Sequence, residues 1–464
     1  MKTKIMLLCI FVFLLSGRLY SQLPNQNMYL LANLNQHITN DTYSGCYGYT
    51  SPNGREYAIL GTHLGTAFID ITDSSNIHEV DFVPAPFPTN SGNHWREITV
   101  YSHYAYIVCE AAFSGIEIVD LSYLPDSVRY VSKYELPNYL TGHTISVSGN
   151  YLYINGSNST FNGNGVTVLD LTSDPETPIR RGTWNTMYVH DSRIVNDTIF
   201  AANIYTGTLT IINAVDKDNL LTIASFQTAP HFATHNCAVT RDRKYVYTTD
   251  ETGNPSAGTL KIFNIQNLSN ILYVGDWRPT GITTSQVHNV EIYGDTAVVA
   301  HRTAGVRVLN ISNPSAPIEI AWYDTYPANN NNEQVGTWGV FMFPSKKIIC
   351  SNKETGLWVF KMGTTVGINN NLSNVVDFKL EQNYPNPFNP STIIKYSISG
   401  SGGLVKLTVY DIHGRQLKTL VNGYRNKGSF TVEFNSGGFS SGVYFYKLTV
   451  NDNLSEVKKM IVLK

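Results

Sequence analysis

The sequence predicts an all-β chain, a seven-bladed β-propeller followed by a small C-terminal β-sandwich. Three observations carry this. A short glycine-led segment recurs seven times, at intervals of 42 to 51 residues. Each copy sits among four strand-like alternating patterns, and no segment keeps a long 3.6-residue apolar period. The last 85 or so residues abandon the repeat and change the sign of their charge.

The chain opens with "MKTKIMLLCIFVFLLSGRLYSQ". Lys2 and Lys4 precede an unbroken apolar run from Ile5 to Leu15, and Ser21 offers a small residue for cleavage before Gln22. That run is too short to span a bilayer, so residues 1–22 read as a signal peptide. No later apolar stretch approaches eighteen residues, so no transmembrane anchor is expected in the mature chain. Cys46, Cys109, Cys237 and Cys350 remain after Cys9 is removed, and their spacing suits neither a zinc site nor a short-loop staple.

The repeats are "GTAFIDIT" from Gly65, "GIEIVDLS" from Gly115, "GVTVLDLT" from Gly165 and "GTLTIINA" from Gly207. "GTLKIFNI" from Gly258, "GVRVLNIS" from Gly305 and "GLWVFKM" from Gly356 complete the set. Four short strands every ~40–50 residues with glycine punctuation suit propeller blades. The seventh copy lacks a fourth strand, whereas "MYLLANLNQ" at 28–36 is an orphan strand resembling the other fourth strands. The orphan is expected to complete the last blade and remove an open edge. The propeller is expected over about residues 27–362 and a linker over 363–379. The Asp or Asn near the end of each third strand (Asp70, Asp120, Asp170, Asn310) is expected to cap the following turn.

The tail, residues 380–464, opens with "LEQNYPNPFNPST", whose Asn-Pro pairs exclude helix. "GLVKLTVYDIHGRQLKTL", "GSFTVEFN" and "SSGVYFYKLTV" follow as short alternating strands. Residues 378–464 hold 11 basic and 5 acidic side chains, although the whole chain is −2, so the body before them is acidic. An acidic body argues against nucleic acid as a partner.

Two resemblances follow from these motifs. "GIEIVDL", "GVTVLDL" and "HNVEIYGDTAVVAHRTAGVRVLNI" resemble the LVIVD-repeat proteins of the choice-of-anchor B group. That resemblance implies an exported propeller and supplies no reaction. "NYPNPFNPST", "VYDIHGRQL", "SGVYFYKL" and the terminal "KKMIVLK", in that order, resemble the type A sorting domain of the type IX secretion system. It implies passage across the outer membrane of a Gram-negative cell, with the secretion machinery as partner of the tail and a secreted or outer cell-surface destination.

Candidate chemistry lies in a repeated histidine. His94, His143, His190, His235 and His288 each precede an alternating strand pattern, with Trp338 at that position in the last blade and Cys46 or Tyr47 in the first. The first strand of a blade lies nearest the central channel. Its start shares a mouth with the polar end of the second strand, where Glu110, Asp250, Glu251, His301 and Arg302 fall. Candidate ligand-binding residues at that mouth are His94, His143, His190, Asp191, His235, Asp250, Glu251, His288 and His301. His190, His235 and Asp250 are the metal candidates, with Glu251 as the alternative carboxylate, and Asp191, Asp250 and Glu251 are expected to lie beside the imidazoles of His190 and His235.

Three readings stay open. The histidines lock blade to blade. They line a mouth for a polar extracellular ligand or surface glycan. Or two or three of them bind a divalent metal that activates water. No HExxH and no G-x-S-x-G is present, and no catalytic residue or other cofactor is expected. A surface-displayed or released binding module is the leading function. A metal-assisted extracellular hydrolase or lyase is the alternative. The Asn-Gly-rich loop at 155–165 suggests flexible chain before it suggests calcium.

Overall fold

The computed structural model describes residues 25–37, 43–87, 91–135, 141–156, 165–230, 233–251, 259–363, 378–398, 403–412, 415–450 and 454–464. The expected signal peptide, most of the linker and most of the 155–165 loop lie outside the described residues. Within them the chain is β throughout, apart from one 3₁₀ turn at Ser91–His94. It divides into two compact units, residues 1–364 and 365–464.

Among the described residues, the first unit holds seven antiparallel sheets. The first sheet runs Tyr43–Thr50, Glu56–Thr62, Gly65–Asp70 and His78–Pro84, each strand beside the next. Five more repeat this order, starting at Arg96, Thr144, Asp191, Thr234 and Asn289. The last takes Thr337–Met342, Lys347–Asn352 and Gly356–Met362 from the end of the unit and Met28–Leu34 from its beginning. Met28 pairs with Met362 and Leu34 with Leu357. Asn25–Gln26 adds a short fifth strand to the preceding sheet. The first strands touch in succession, and Thr337–Met342 touches both Asn289–Tyr293 and Tyr43–Thr50, so the sequence of neighbours returns to its start.

Burial explains the sequence pattern. Third strands such as "VTVLD" are covered on both faces and read as nearly continuous apolar runs. Fourth strands such as "LTIASFQ" lie outermost and are largely exposed. Between adjacent sheets side chains interdigitate. Tyr49, Ile59 and Phe68 of the first sheet pack against Ile98, Ile107 and Val119 of the second. Each such burial contributes about 1.5–3 kcal/mol. Buried tyrosines tie neighbouring sheets, with Tyr106 Oη donating to Pro175 O and Tyr247 Oη to Pro314 O, both at 2.7 Å.

Three local devices recur. Period glycines lie under the fourth strand, and Gly115, Gly207, Gly305 and Gly356 do so with positive φ. At Gly305 (φ 83°) a Cβ would fall 2.1 Å from Tyr323 O, and at Gly356 (φ 81°) 2.3 Å from Leu34 O. After the third strand, Asp70, Asp120, Asp170 and Asn310 accept the backbone N–H two residues on, at 2.8 or 2.9 Å. These are the expected turn caps. A register shift interrupts every pairing of a third with a fourth strand, as at Phe68/Ile69 and Val308/Leu309. The N-terminal strand carries its own at Leu30/Ala32. It therefore repeats the fourth-strand bulge as well as the pairing.

The second unit has two sheets. One joins Phe378–Leu380, Ser391–Ile398 and Gly428–Asn435. The other joins Gln416–Arg425, Gly403–Tyr410, Gly442–Val450 and Leu454–Val462. Both bury one cluster that includes Ile394, Tyr396 and Phe434 with Leu407, Tyr446, Leu448 and Met460. The Asn-Pro segment is pinned to the last strand, since Phe388 N–H donates to Ile461 O and Leu463 N–H to Phe388 O, both at 3.0 Å.

Candidate functional site

The first strands of successive sheets bring four histidines into one arc. Ring centroids lie 4.0 Å apart from His143 to His190, 4.2 Å from His190 to His235 and 4.3 Å from His235 to His288. Trp338 follows His288 at 4.8 Å. Backbone geometry makes three of them equivalent. The N–H groups of His143, His190 and His288 donate to Asn155 O, Ala202 O and Ala300 O at 2.8–2.9 Å, just before each strand starts.

The two ring nitrogens have separate tasks. Nδ1 of His190 reaches His235 O at 3.1 Å, Nδ1 of His235 reaches His288 O at 3.0 Å, and Nδ1 of His288 reaches Trp338 O at 2.5 Å. A carbonyl only accepts, so Nδ1 carries the proton in each. Burial, reinforced by neighbouring positive charge, holds His190 and His288 far below the ordinary imidazole range and lowers His235 as well. Nε2 is thus the nitrogen that each of the three rings leaves free of the backbone.

Those Nε2 atoms face one carboxylate. His235 Nε2 is 3.5 Å and His190 Nε2 3.9 Å from Glu251 Oε2, and His288 Nε2 is 3.7 Å from Oε1. Arg302 Nη2 donates to Oε1 at 2.6 Å, while its guanidinium lies 4.8 Å over the Trp338 ring. Burial would raise Glu251, but His235 and Arg302 keep it below its usual value. His143 differs from the other three. Burial would lower it, yet Glu110 Oε1, 2.5 Å from its Nδ1, raises it and is itself lowered by the pairing.

Beyond the arc lies a cavity of about 200 Å³ lined by all four histidines, Glu97, Asp191, Arg193, Asn236 and Glu291, among others. Asp191 Oδ2 accepts from Asn236 Nδ2 at 2.5 Å, and Arg193 pairs with Glu291 across the channel. Glu97 accepts from Trp338 Nε1 at 2.9 Å, and burial pushes its carboxyl up to about 7.

Three expected residues lie elsewhere. Asp250 points away from the arc into a fully buried ion pair with Lys261 Nζ at 2.6 Å, so the carboxylate beside His190 and His235 is Glu251. The cause is a register shift at Thr234/Asn236, after which Thr234 pairs with Asp250. His94 ends the 3₁₀ turn ahead of Arg96 and lies tilted against Trp95 with ring centroids 3.8 Å apart, outside the arc. His301 contacts Ser285 Oγ through Nδ1 at 3.2 Å and lies 6.2 Å from the Trp277 ring, and burial takes it down to about 3. Glu97, Arg193 and Glu291 were missed as site residues. Each lies three residues after its histidine in "HWRE", "HDSR" and "HNVE", which was the available signal. Cys46, Cys109, Cys237 and Cys350 are free thiols.

No helix among the described residues is long and apolar enough to cross a membrane. Residues 382–463 match the secretion system C-terminal sorting domain, and residues 142–186 and 285–325 match the LVIVD repeat. No curated protein matches the chain in sequence. Among solved structures, the WD40 β-propeller domain of Doa1 is similar with a TM-score of 0.50 at 12% identity, over 73% of this chain and 98% of that one. A candidate 6-phosphogluconolactonase from Bacteroides uniformis is similar with a TM-score of 0.50 at 12% identity, over 71% and 94%. At such identity the likeness concerns fold alone. The chain thus joins LVIVD repeats in a propeller fold to a sorting domain of type IX secretion.

Proposed function

We propose that the chain is an exported binding module. Its parts are a signal peptide (1–22), a seven-bladed propeller (27–362) closed by its N-terminal strand, a linker (363–379) and a β-sandwich sorting tail (380–464). Type IX secretion delivers it to the cell surface or the medium, where the propeller takes a polar ligand at its channel mouth. The end of a glycan is the ligand class that best fits the chemistry.

One observation carries the reading. Four imidazoles, three of them buried, form an unbroken arc above a cavity whose walls mix carboxylates, amides and one guanidinium with aromatic and aliphatic side chains. Locking sheet to sheet uses only the Nδ1 side of His190, His235 and His288. The Nε2 atoms and Asp191 are acceptors, and sugar hydroxyls are matching donors. At about 200 Å³ the cavity suits one sugar ring or one side chain, below the ~300 Å³ at which drug-sized sites begin.

Calorimetric titration of the purified chain with a panel of mono- and oligosaccharides tests this. A sugar that binds wild type should lose at least tenfold in affinity with His235→Ala and with Asp191→Asn while far-UV circular dichroism stays unchanged. Full affinity in both variants would move the ligand away from this mouth.

A further inference from the structure

The geometry points to a divalent transition-metal site at the channel mouth, with His190 Nε2, His235 Nε2 and Glu251 Oε2 as its protein ligands. The inference deepens the proposed ligand site, since it rests on the same mouth and supplies the atom a polar ligand would meet. The three donor atoms lie within 4.8 Å of one another.

The first argument is the convergence of ligand atoms. With Nδ1 committed to a backbone carbonyl, each imidazole leaves only Nε2 to face the mouth. Glu251 Oε2 stands 3.5 Å from His235 Nε2 and 3.9 Å from His190 Nε2, so three ligand atoms meet around one point. The separations are too long for hydrogen bonds, which end near 3.2 Å. They approach the ligand–ligand edge of about 3.3–3.4 Å that tetrahedral bonds of 2.0–2.1 Å produce.

The second argument is the surrounding support. Metal-bound histidines usually donate their other ring N–H to a carbonyl or carboxylate, which fixes tautomer and aim. His190 and His235 both do so. The carboxylate is held likewise, since Arg302 occupies Oε1 at 2.6 Å and leaves Oε2 turned to the histidines. A third observation is His288, 1% exposed, whose Nε2 has no hydrogen-bond partner among the described residues and lies 3.7 Å from Glu251 Oε1.

Two nitrogens and one oxygen with an open fourth position is a donor set suited to zinc, in the form that accepts an outside ligand. Glu251 and Arg302 cancel in charge, so a bound dication leaves the mouth positive. The open position then favours water, a sugar diol or a carboxylate.

Cobalt titration of the untagged full chain after chelator dialysis tests this. About one Co²⁺ per chain should bind, giving visible d–d absorption of tetrahedral intensity, and Zn²⁺ should displace it. His235→Ala should abolish the absorption, and Glu251→Gln, nearly isosteric, should weaken binding at least tenfold should the alanine variant not fold. His94→Ala should keep the wild-type spectrum. Absence of stoichiometric Co²⁺ or Zn²⁺ binding by wild type, or unchanged binding in both His235→Ala and Glu251→Gln, overturns the metal site. Saccharide titration with chelator present separates the two proposals. Sugar binding that survives without metal and vanishes in Asp191→Asn keeps the ligand site and removes the metal.

Discussion

His235 donates its Nδ1–H to the carbonyl oxygen of His288 at 3.0 Å, while its Nε2 stands 3.5 Å from Glu251. One ring thus serves two ends. Its first nitrogen binds neighbouring sheets together, as a repeated structural histidine would. Its second faces a carboxylate, which a purely structural residue has no need to do. Substitution here disturbs both, whereas substitution at Glu251 spares this backbone bond and disturbs the ion pair with Arg302 instead.

Asp250 and Glu251 should behave oppositely although adjacent. Asp250 pairs with Lys261 where both side chains are fully buried. Removing one member of a buried pair costs about 3–5 kcal/mol. Asp250→Asn should therefore lower the urea midpoint strongly and leave cobalt affinity, measured on the folded fraction, unchanged. Glu251→Gln should weaken cobalt binding at least tenfold and lower the midpoint less, since its amide oxygen can still accept from Arg302.

Met28 is fully buried in the cluster shared by the last two sheets, beside Val308, Val340 and Phe360. Met28→Ala should cost about 2–5 kcal/mol, as in any interior position. Deleting residues 23–37 should lower the thermal midpoint further and promote aggregation through the bared edge of Gly356–Met362. Equal denaturation curves for wild type and deletion would remove the closing role of this strand.

His301 gives a clean pH test. Its folded pKa is depressed to about 3, so below about pH 6.5 the unfolded chain takes up a proton there that the folded chain refuses. Stability from this residue is present above pH 6.5 and is lost as pH falls toward 3. Relative to His301→Gln, wild type should lose about 1.4 kcal/mol per pH unit between pH 6 and pH 4. Urea unfolding of both proteins at several pH values reads the difference directly.

Removing residues 380–464 should leave a folded propeller in the periplasm of a type IX-competent cell, because the matched sorting domain lies wholly within that segment. Fractionation followed by immunoblotting checks it. Truncated protein in the medium or at the surface would contradict the role of the tail.

Much of the fold was legible because its causes are local. At Gly305 and Gly356 the period glycine is demanded by positive φ under a crossing carbonyl, and the turn-capping Asp and Asn bond to their own backbone two residues on. The orphan strand was legible because the last repeat lacked a partner and the first residues had one to give. The arc of histidines was legible because each sits at one place in a copied unit. What failed to show was the aim of individual side chains. Asp250 and Glu251 are neighbours in sequence, and only the register shift at Thr234/Asn236 decides which reaches the histidines. His94 matched the pattern, but a 3₁₀ turn before Arg96 displaces it. Arg302, with φ of 32°, turns inward through a backbone angle that no residue pattern announces.

The pairing of Met28–Leu34 with Gly356–Met362 also sets an order of events during biogenesis. The strand made first cannot find its place until the strand made last has left the ribosome, so the repeats wait as an open arc through most of synthesis. Contacts of such long range are slow to form.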